Sequence, residues 1–315
     1  MLQVTRRYHL TFPLHSKVVQ KFYLDFARNK AYALQMKPGN TTDMQLYWAD
    51  FDKDNSEISF TPYMSLNNFG HGQTFELFTD KSDGSLWAWV ATKYSPTQTD
   101  GKNGTGDHWA SRIGVIPLDG VDKDADSVHS ITNLNYLGTG SGAKNMSLHR
   151  TDAALSSTDG RLAIWTQGSG DASTATKRVT AFNADKLFAA LKSGNISAKS
   201  SSMIAGGEYY VSTHDITSYV YPQNSWQGME LSNMTGYGYN WVYLSSGQVG
   251  SETKIVRAPW NFKSSKTLSV PINDLDNVHE TEALQLYGND IYFGVEEQVG
   301  SSHNHYIYSI PKDSF

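Results

Sequence analysis

The chain has 315 residues, and its composition excludes several classes of protein. A formal net charge of −5 is atypical of nucleic-acid-binding proteins and of cationic membrane-lytic peptides, which present clustered basic surfaces. The absence of cysteine excludes disulfides, thiolate metal sites and cysteine nucleophiles. Neither a long apolar run nor a cleavable signal peptide is recognisable, so no transmembrane segment is expected.

A unit of several short apolar strands recurs five times along the chain. Its opening strands share one pattern and begin at Gln20, Gln73, Lys144, Gln227 and Glu280. A second and a third strand follow each opening strand, for example 30–34 and 45–51 in the first copy. One further β-rich segment precedes each opening strand. Repeats of this period with several strands per copy are typical of the blades of a β-propeller.

The repeats therefore predict an all-β, five-bladed β-propeller that forms a single domain over residues 1–315. The predicted blades cover residues 15–66, 67–137, 138–221, 222–272, and 273–315 together with 4–14. The last repeat lacks a fourth strand of its own, whereas the strand predicted at 8–14 is unmatched. We expect this N-terminal strand to pair with the last blade and to close the ring, because an open seam would leave unpaired backbone groups.

Two insertions account for the longer intervals between opening strands. Residues 95–108 are rich in Gly, Asn and Asp and predict an exposed loop. Residues 185–193 carry Leu187, Phe188 and Leu191 at helical spacing, with Asn183 or Asp185 as the N-cap. This pattern predicts one short surface helix.

The opening strand of a propeller blade lies nearest the central axis, so its polar residues are candidates for a functional site. The ligand-binding candidates from this region are Gln73, Gln227, His71 and His279. Glu76, Glu230 and Glu282 would be the catalytic carboxylates of a glycoside hydrolase, which needs a general acid and a second carboxylate. The alternative is architectural. Side chains that recur at the same position of each repeat are more often structural. A catalytic pair would normally depart from the pattern of the repeat.

Three tryptophans, Trp109, Trp226 and Trp260, lie close to predicted loops beside polar residues. An indole in such a position can stack on a sugar ring while neighbouring polar groups bond the hydroxyls. These residues are therefore candidates for ligand binding. Packing at the rim of the blades is the alternative for each of them.

Several motifs could be considered for metal binding. Residues 50–54 and 122–126 resemble the start of a calcium loop, but both lack the glycine and the bidentate glutamate of an EF-hand. A looser calcium site remains an option, and no other cofactor is expected. His303 and His305 would share one face of a strand, yet no third ligand is evident and we expect a solvated loop there.

Five segments resemble the helveticin J family, the large, heat-labile class III bacteriocins of lactobacilli: HLTFPL at 9–14, QKFYL at 20–24, GHGQTFEL at 70–77, QGMEL at 227–231 and IYSIP at 307–311. The resemblance covers essentially the whole chain. It implies a secreted or released protein that kills related Gram-positive bacteria or attaches to their envelope. It supplies no catalytic residues.

Together these observations predict a lectin-like antibacterial protein that recognises a cell-wall polysaccharide or another envelope component without enzymatic turnover. Similar pockets repeated around a ring would give avidity for a repetitive polymer. Two alternatives stay open. One is a glycoside hydrolase of the five-bladed propeller type acting on wall carbohydrate, and the other is a scaffold for protein interactions.

Overall fold

The computed structural model describes residues 2–13, 17–94, 108–138, 146–156, 158–170, 173–236 and 238–315. Strands predominate in these ranges and confirm the all-β fold, a five-bladed β-propeller. Three predicted features lie outside the described residues: Leu14 of the closing strand, the loop before His108, and the strand start at residues 144 and 145. Within the ranges above, no helix is long and apolar enough to cross a membrane.

The strands follow the five repeats in chain order. The N-terminal strand is β1 (Thr5–Thr11), and the first repeat supplies β2 (Val19–Asp25), β3 (Lys30–Met36), β4 (Met44–Asp50), β5 (Glu57–Ser59) and β6 (Thr61–Asn67). The second repeat supplies β7 (Phe75–Thr79), β8 (Leu86–Tyr94), β9 (Ala110–Pro117), β10 (Lys123–Asp124) and β11 (Ser130–Thr132). The third supplies β12 (Leu148–Ser156), β13 (Arg161–Gly168), β14 (Lys177–Asn183), β15 (Ile196–Ser197) and β16 (Tyr210–Asp215).

The fourth repeat supplies β17 (Gly228–Leu231), β18 (Trp241–Ser246), β19 (Thr253–Pro259) and β20 (Lys266–Val270). The fifth supplies β21 (His279–Tyr287), β22 (Asp290–Val299) and β23 (Ser302–Pro311). Helix α1 is Ala184–Leu191, and short 3-10 turns occur at Ala125–Ser127, Leu134–Tyr136, Ser201–Met203, Pro222–Asn224 and Lys312–Ser314.

Each blade is one sheet whose first four strands are neighbours in the order of the repeat. Three sheets carry a short fifth strand that the sequence did not predict. It pairs parallel to the outermost strand, as β5 on β1, β10 on β6 and β15 on β11. The added strands bond some of the backbone N–H and C=O groups at the exposed edge of these three sheets, which limits pairing with other chains.

The N-terminal strand closes the last sheet as predicted. Strand β1 pairs antiparallel with β23, with Thr5 opposite Ser309 and Leu10 opposite His305. The side chains of Tyr8, Leu10 and Phe12 are buried in the core of this region. The ring of Phe12 stacks on Phe60 with 4.8 Å between ring centres.

Two strand predictions differ from the structure. The third opening strand begins at Leu148 and not at residue 144, because the hairpin pairs Ser156 with Arg161 and so places the strand directly before the turn. The fourth strand of the second blade stops at Thr132. There Asn133 adopts a left-handed conformation with φ of 58°, and a 3-10 turn at Leu134–Tyr136 replaces the end of the β-rich segment predicted before the third opening strand.

The predicted helix is confirmed as α1. The side chain of Asn183 accepts a hydrogen bond from the backbone N–H of Lys186, which makes it the N-cap. Leu187, Phe188 and Leu191 are buried in one hydrophobic cluster, as their helical spacing predicts.

The chain divides into two compact units. The first unit contains Met1–Asn40, Gln45–Ser65 and Tyr221–Phe315, and thus most of the first blade with the fourth and fifth. The second unit contains Thr41–Met44 and Leu66–Val220, and thus the second and third blades. The predicted single-domain organisation and blade limits stay predictions.

Candidate functional site

Three residues that the sequence indicates lie in one cluster around Arg150 in the second unit. The guanidinium of Arg150, on β12, lies 3.7 Å from the ring centre of Trp109. Its Nη2 donates a hydrogen bond to Oε1 of Gln73 at 2.6 Å. The imidazole of His71 stacks on the same indole, with 3.9 Å between ring centres and 10° between planes. We call His71, Gln73, Trp109 and Arg150 the arginine cluster.

The indole of Trp109 is covered on both faces. Two planar groups this close to one ring would collide on the same side, so His71 and Arg150 occupy opposite faces. In this arrangement the indole offers no open face to a sugar, unlike the predicted stacking platform. Instead it holds the guanidinium by a cation–π interaction, and Trp165 adds a more distant ring at 5.7 Å.

The cluster carries one stable positive charge. Burial, and secondly the charge of Arg150, lower the pKa of His71 to about 3. The imidazole is therefore neutral at physiological pH and does not repel the guanidinium. Because an arginine stays protonated throughout this range, the cluster presents a fixed, planar cation whose N–H groups match carboxylate and phosphate oxygens.

Two glycines allow His71 to approach Trp109. A Cβ on Gly70 would lie 2.5 Å from the His108 carbonyl oxygen, and one on Gly72 would lie 2.6 Å from the Cβ of Ala91. Without side chains, the segment pairs closely with its neighbour, since His71 N–H donates to His108 O at 2.9 Å and Ala110 N–H donates to His71 O at 2.8 Å. The Gly-His-Gly motif thus fixes the position of the imidazole.

A second polar link holds the two opening segments of this unit together. Thr74 Oγ1 donates to Oδ1 of Asp152 at 2.7 Å and accepts from Ala153 N–H at 2.8 Å. Both Thr74 and Asp152 are buried. Since Thr74 follows Gln73 and Asp152 lies two residues after Arg150, this link keeps Gln73 and Arg150 within hydrogen-bonding distance.

In the first unit, Glu230 belongs to a buried ion pair. Lys21 Nζ donates to Glu230 Oε1 at 2.7 Å and to the Leu284 carbonyl oxygen at 3.0 Å. The two charged side chains are 1% and 6% exposed. One contact thus joins β2, β17 and β21, the opening strands of three blades. This arrangement favours the architectural interpretation of Glu230, because its charge compensates that of Lys21.

The other predicted carboxylates and polar residues have less defined roles. Glu76 and Glu282 are buried on β7 and β21. The backbone N–H of Gln227 donates to Ser245 O at 3.0 Å, and its backbone carbonyl accepts from Ala283 N–H at 2.8 Å. His279 begins β21 opposite Glu297.

The two remaining tryptophans differ in exposure. Trp226 is only 2% exposed and packs edge-to-face on Tyr221 at 5.7 Å. This corrects the loop-surface position predicted for it, because its indole belongs to the core and cannot be reached from solvent. Trp260 is half-buried just after β19.

The motifs considered for metals are engaged in other contacts. Asp54 pairs with Lys53, and Asp124 accepts from the Asn68 side chain and caps a 3-10 turn. His305 lies inside β23 and is fully buried, so the solvated loop expected there is wrong. In the described part of the chain, no group of three or more histidines and carboxylates is arranged to hold a metal ion.

Arg150, the centre of the cluster, is not among the residues that the sequence indicates. The predicted third opening strand, residues 144–148, ends before Arg150, whereas β12 contains it. The available signal was the length of the hairpin, because residues 149–160 are too many for a tight turn between paired strands.

Solved structures show the fold again at low sequence identity. The tail fibre of Staphylococcus aureus phage P68 is similar with a TM-score of 0.60 and 13% identity, over 99% of this chain and 53% of that chain. A GH43 β-1,3-galactosidase is similar with a TM-score of 0.50 and 8% identity, over 93% of this chain and 60% of that chain. A GH43 endo-arabinanase from Bacillus licheniformis is similar with a TM-score of 0.49 and 12% identity, over 96% of each chain. The chain thus spans about half of the tail fibre and three-fifths of the galactosidase.

The family comparison is more specific than these likenesses, which concern the fold alone. No curated protein matches the sequence significantly. The sequence does match the family described as Bacteriocin helveticin-J over residues 2–313, nearly its whole length. The segments that resembled this family are therefore parts of an end-to-end match, and the chain belongs to the helveticin-J family of bacteriocins.

Proposed function

We propose that the protein is secreted and acts on related Gram-positive bacteria by binding a glycan of their cell envelope at the arginine cluster, without enzymatic turnover. Membership of the bacteriocin family supports the antibacterial role. The observation that best supports the site is that Gln73 and Trp109 both contact the Arg150 guanidinium, while His71 stacks on the other face of Trp109.

The chemistry of the cluster suits an oxygen-rich polymer. The guanidinium is held on one side by the indole and at one nitrogen by Gln73, so it loses little conformational freedom when it binds a ligand. Its N–H donors can bond carboxylates, phosphates or vicinal hydroxyls, as in wall polysaccharides and teichoic-acid-like polymers. Partial burial strengthens these bonds relative to bulk water.

The carboxylates in the first unit give less support to hydrolysis. A glycosidase needs two carboxyl groups that face the scissile bond. Glu230 is committed to Lys21, and Glu282 is buried on the neighbouring opening strand. The fold itself is compatible with a carbohydrate ligand, since a GH43 β-1,3-galactosidase shares it.

Attachment to purified cell walls tests this proposal. We expect Arg150→Lys to weaken attachment at least tenfold, because lysine keeps the charge but loses the planar, forked donors and the stacking on Trp109. Binding is measured by co-sedimentation with walls from a sensitive strain, and the supernatant is assayed for new reducing ends.

The matched control is Arg257→Lys. Arg257 also lies over an indole, 4.7 Å from the ring centre of Trp241, but belongs to the first unit. It should leave attachment unchanged. Release of reducing ends by the wild type would support the hydrolase instead, and loss of binding after protease treatment of the walls would support the protein scaffold.

A further inference from the structure

Three titratable side chains stand side by side across the last blade. Glu280 on β21 is opposite Glu296 on β22, and Glu296 is opposite His305 on β23. His305 is in turn opposite Leu10 on β1. Directly opposed residues of antiparallel strands project from the same face with Cβ atoms about 5 Å apart. We call Glu280, Glu296 and His305 the proton row.

The inner end of the row is enclosed. Glu296 and His305 are 2% and 0% exposed, and His305 Nδ1 forms a short hydrogen bond with a Glu296 carboxylate oxygen. The other ring nitrogen of His305, Nε2, is buried and has no hydrogen-bond partner among the described residues. Burying two carboxyl groups side by side is unfavourable unless one of them keeps its proton.

The row ends at the segment that closes the ring. The edge of Phe12 points at the His305 ring, with 5.0 Å between centres and planes at 86°. Phe12 follows β1 and also packs against Tyr47 and Phe60. The proton row therefore touches the seam formed by β1 and β23.

Burial and nearby charges act on the groups of the row and on His303 beside it. Burial, and secondly the charge of Glu296, raise the pKa of Glu280 to about 7. His303 lies two residues before His305 with its ring 6.4 Å away. Burial lowers the pKa of His303, which also feels Glu296, His305 and Lys17. Glu280 thus holds a proton that leaves near neutral pH.

We infer that the proton row is a pH-sensitive latch on the seam between β1 and β23. While Glu280 keeps its proton, it places no negative charge beside Glu296 and the seam stays closed. Loss of the proton leaves a second carboxylate, the half-buried Glu280, beside the enclosed Glu296. Opening of the seam beside His305 then lets water reach the enclosed end of the row, which relieves the repulsion.

The direction of the effect follows from linkage. The closed protein holds the Glu280 proton more tightly than an open, hydrated state, whose pKa is the ordinary 4.5. This contribution to closure is complete below pH 4.5 and is lost as the pH rises through about 7. Between pH 6 and pH 8 the opening equilibrium should increase about tenfold.

Hydrogen exchange of the β1 amides measures this opening. Protection factors, which correct for the intrinsic pH dependence of exchange, should fall about tenfold from pH 6 to pH 8 in the wild type. In Glu280→Gln they should be the same at both pH values. Glu208→Gln, the same substitution at an exposed position in the second unit, should behave as the wild type.

A direct titration keeps the test decisive if Glu280→Gln does not fold. The side-chain carboxyl signals of the wild type, followed by carbon NMR, should show one glutamate that titrates near neutral pH. Constant protection of β1 in the wild type, persistence of its pH dependence in a folded Glu280→Gln, or titration of every glutamate near pH 4.5 would each overturn the latch.

Discussion

Deletion of residues 1–13 is expected to abolish folding. The deletion removes β1 and leaves one edge of β23 unpaired from His305 to Ser309. It also removes the buried side chains of Tyr8, Leu10 and Phe12. Truncating one large core side chain costs about 2–5 kcal/mol, so losing three approaches the whole stability of an ordinary domain, about 5–15 kcal/mol. Solubility and the melting temperature would report the loss.

A control separates closure from the mere presence of an N-terminal segment. Replacing the exposed Arg6 and Arg7 with alanine alters the same strand but keeps its pairing and buried face, and should change stability by less than about 1 kcal/mol. A synthetic peptide of residues 2–13 should restore a cooperative melting transition to the truncated chain. A truncated protein that stays soluble and melts like the full chain would show that β1 is not needed for closure.

Glu230→Gln is expected to destabilise the protein by about 3–5 kcal/mol, because it leaves the Lys21 ammonium buried without a compensating charge. The pair is enclosed, and Lys21 Nζ donates to Glu230 and to the Leu284 carbonyl oxygen. Urea denaturation measures the change in the free energy of unfolding. Since three opening strands meet at this contact, the first unit should unfold at a lower urea concentration.

Two comparisons test whether this cost comes from burial. Glu252→Gln removes one partner of the more exposed Lys254–Glu252 pair and should cost less than about 1 kcal/mol. Replacing both partners, as in Lys21→Met with Glu230→Leu, should recover most of the stability. If Glu230→Gln leaves stability unchanged but abolishes killing, Glu230 is a catalytic residue and the architectural account is wrong.

The repeats in the sequence carry most of the fold. The apolar pattern of a strand is contained in a few consecutive residues. Segments such as β3 and β22 can therefore be located from the sequence alone. The closing strand was predictable for a different reason. The N-terminal strand had no partner in its own repeat, and the last blade lacked a fourth strand. The simplest arrangement pairs the two, as β1 and β23 do.

The buried charges were not predictable in the same way. Lys21 lies in an apolar strand beside Phe22, and nothing near it in the sequence indicates that its partner is Glu230. Such a pair exists only because the opening strands of distant repeats converge. The proton row has the same origin, since Glu280, Glu296 and His305 are aligned by strand register and not by spacing.

The candidate site was predicted in part. The sequence indicates His71, Gln73 and Trp109 separately. The contact that joins Gln73 to Trp109 is made by Arg150, a residue of another repeat. Trp226 shows the limit of composition-based reasoning, because polar neighbours in the chain suggested exposure while its indole packs inward on Tyr221.

Protection of sensitive cells by soluble glycan tests the proposed function most directly. Wall polysaccharide released from a sensitive strain, freed of protein and lipid, is added to cells together with the purified protein, and survivors are counted. We predict that the glycan protects the cells in proportion to its concentration, whereas lipid vesicles without protein do not. Undiminished killing in the presence of excess glycan, with protection by the vesicles instead, would contradict glycan recognition.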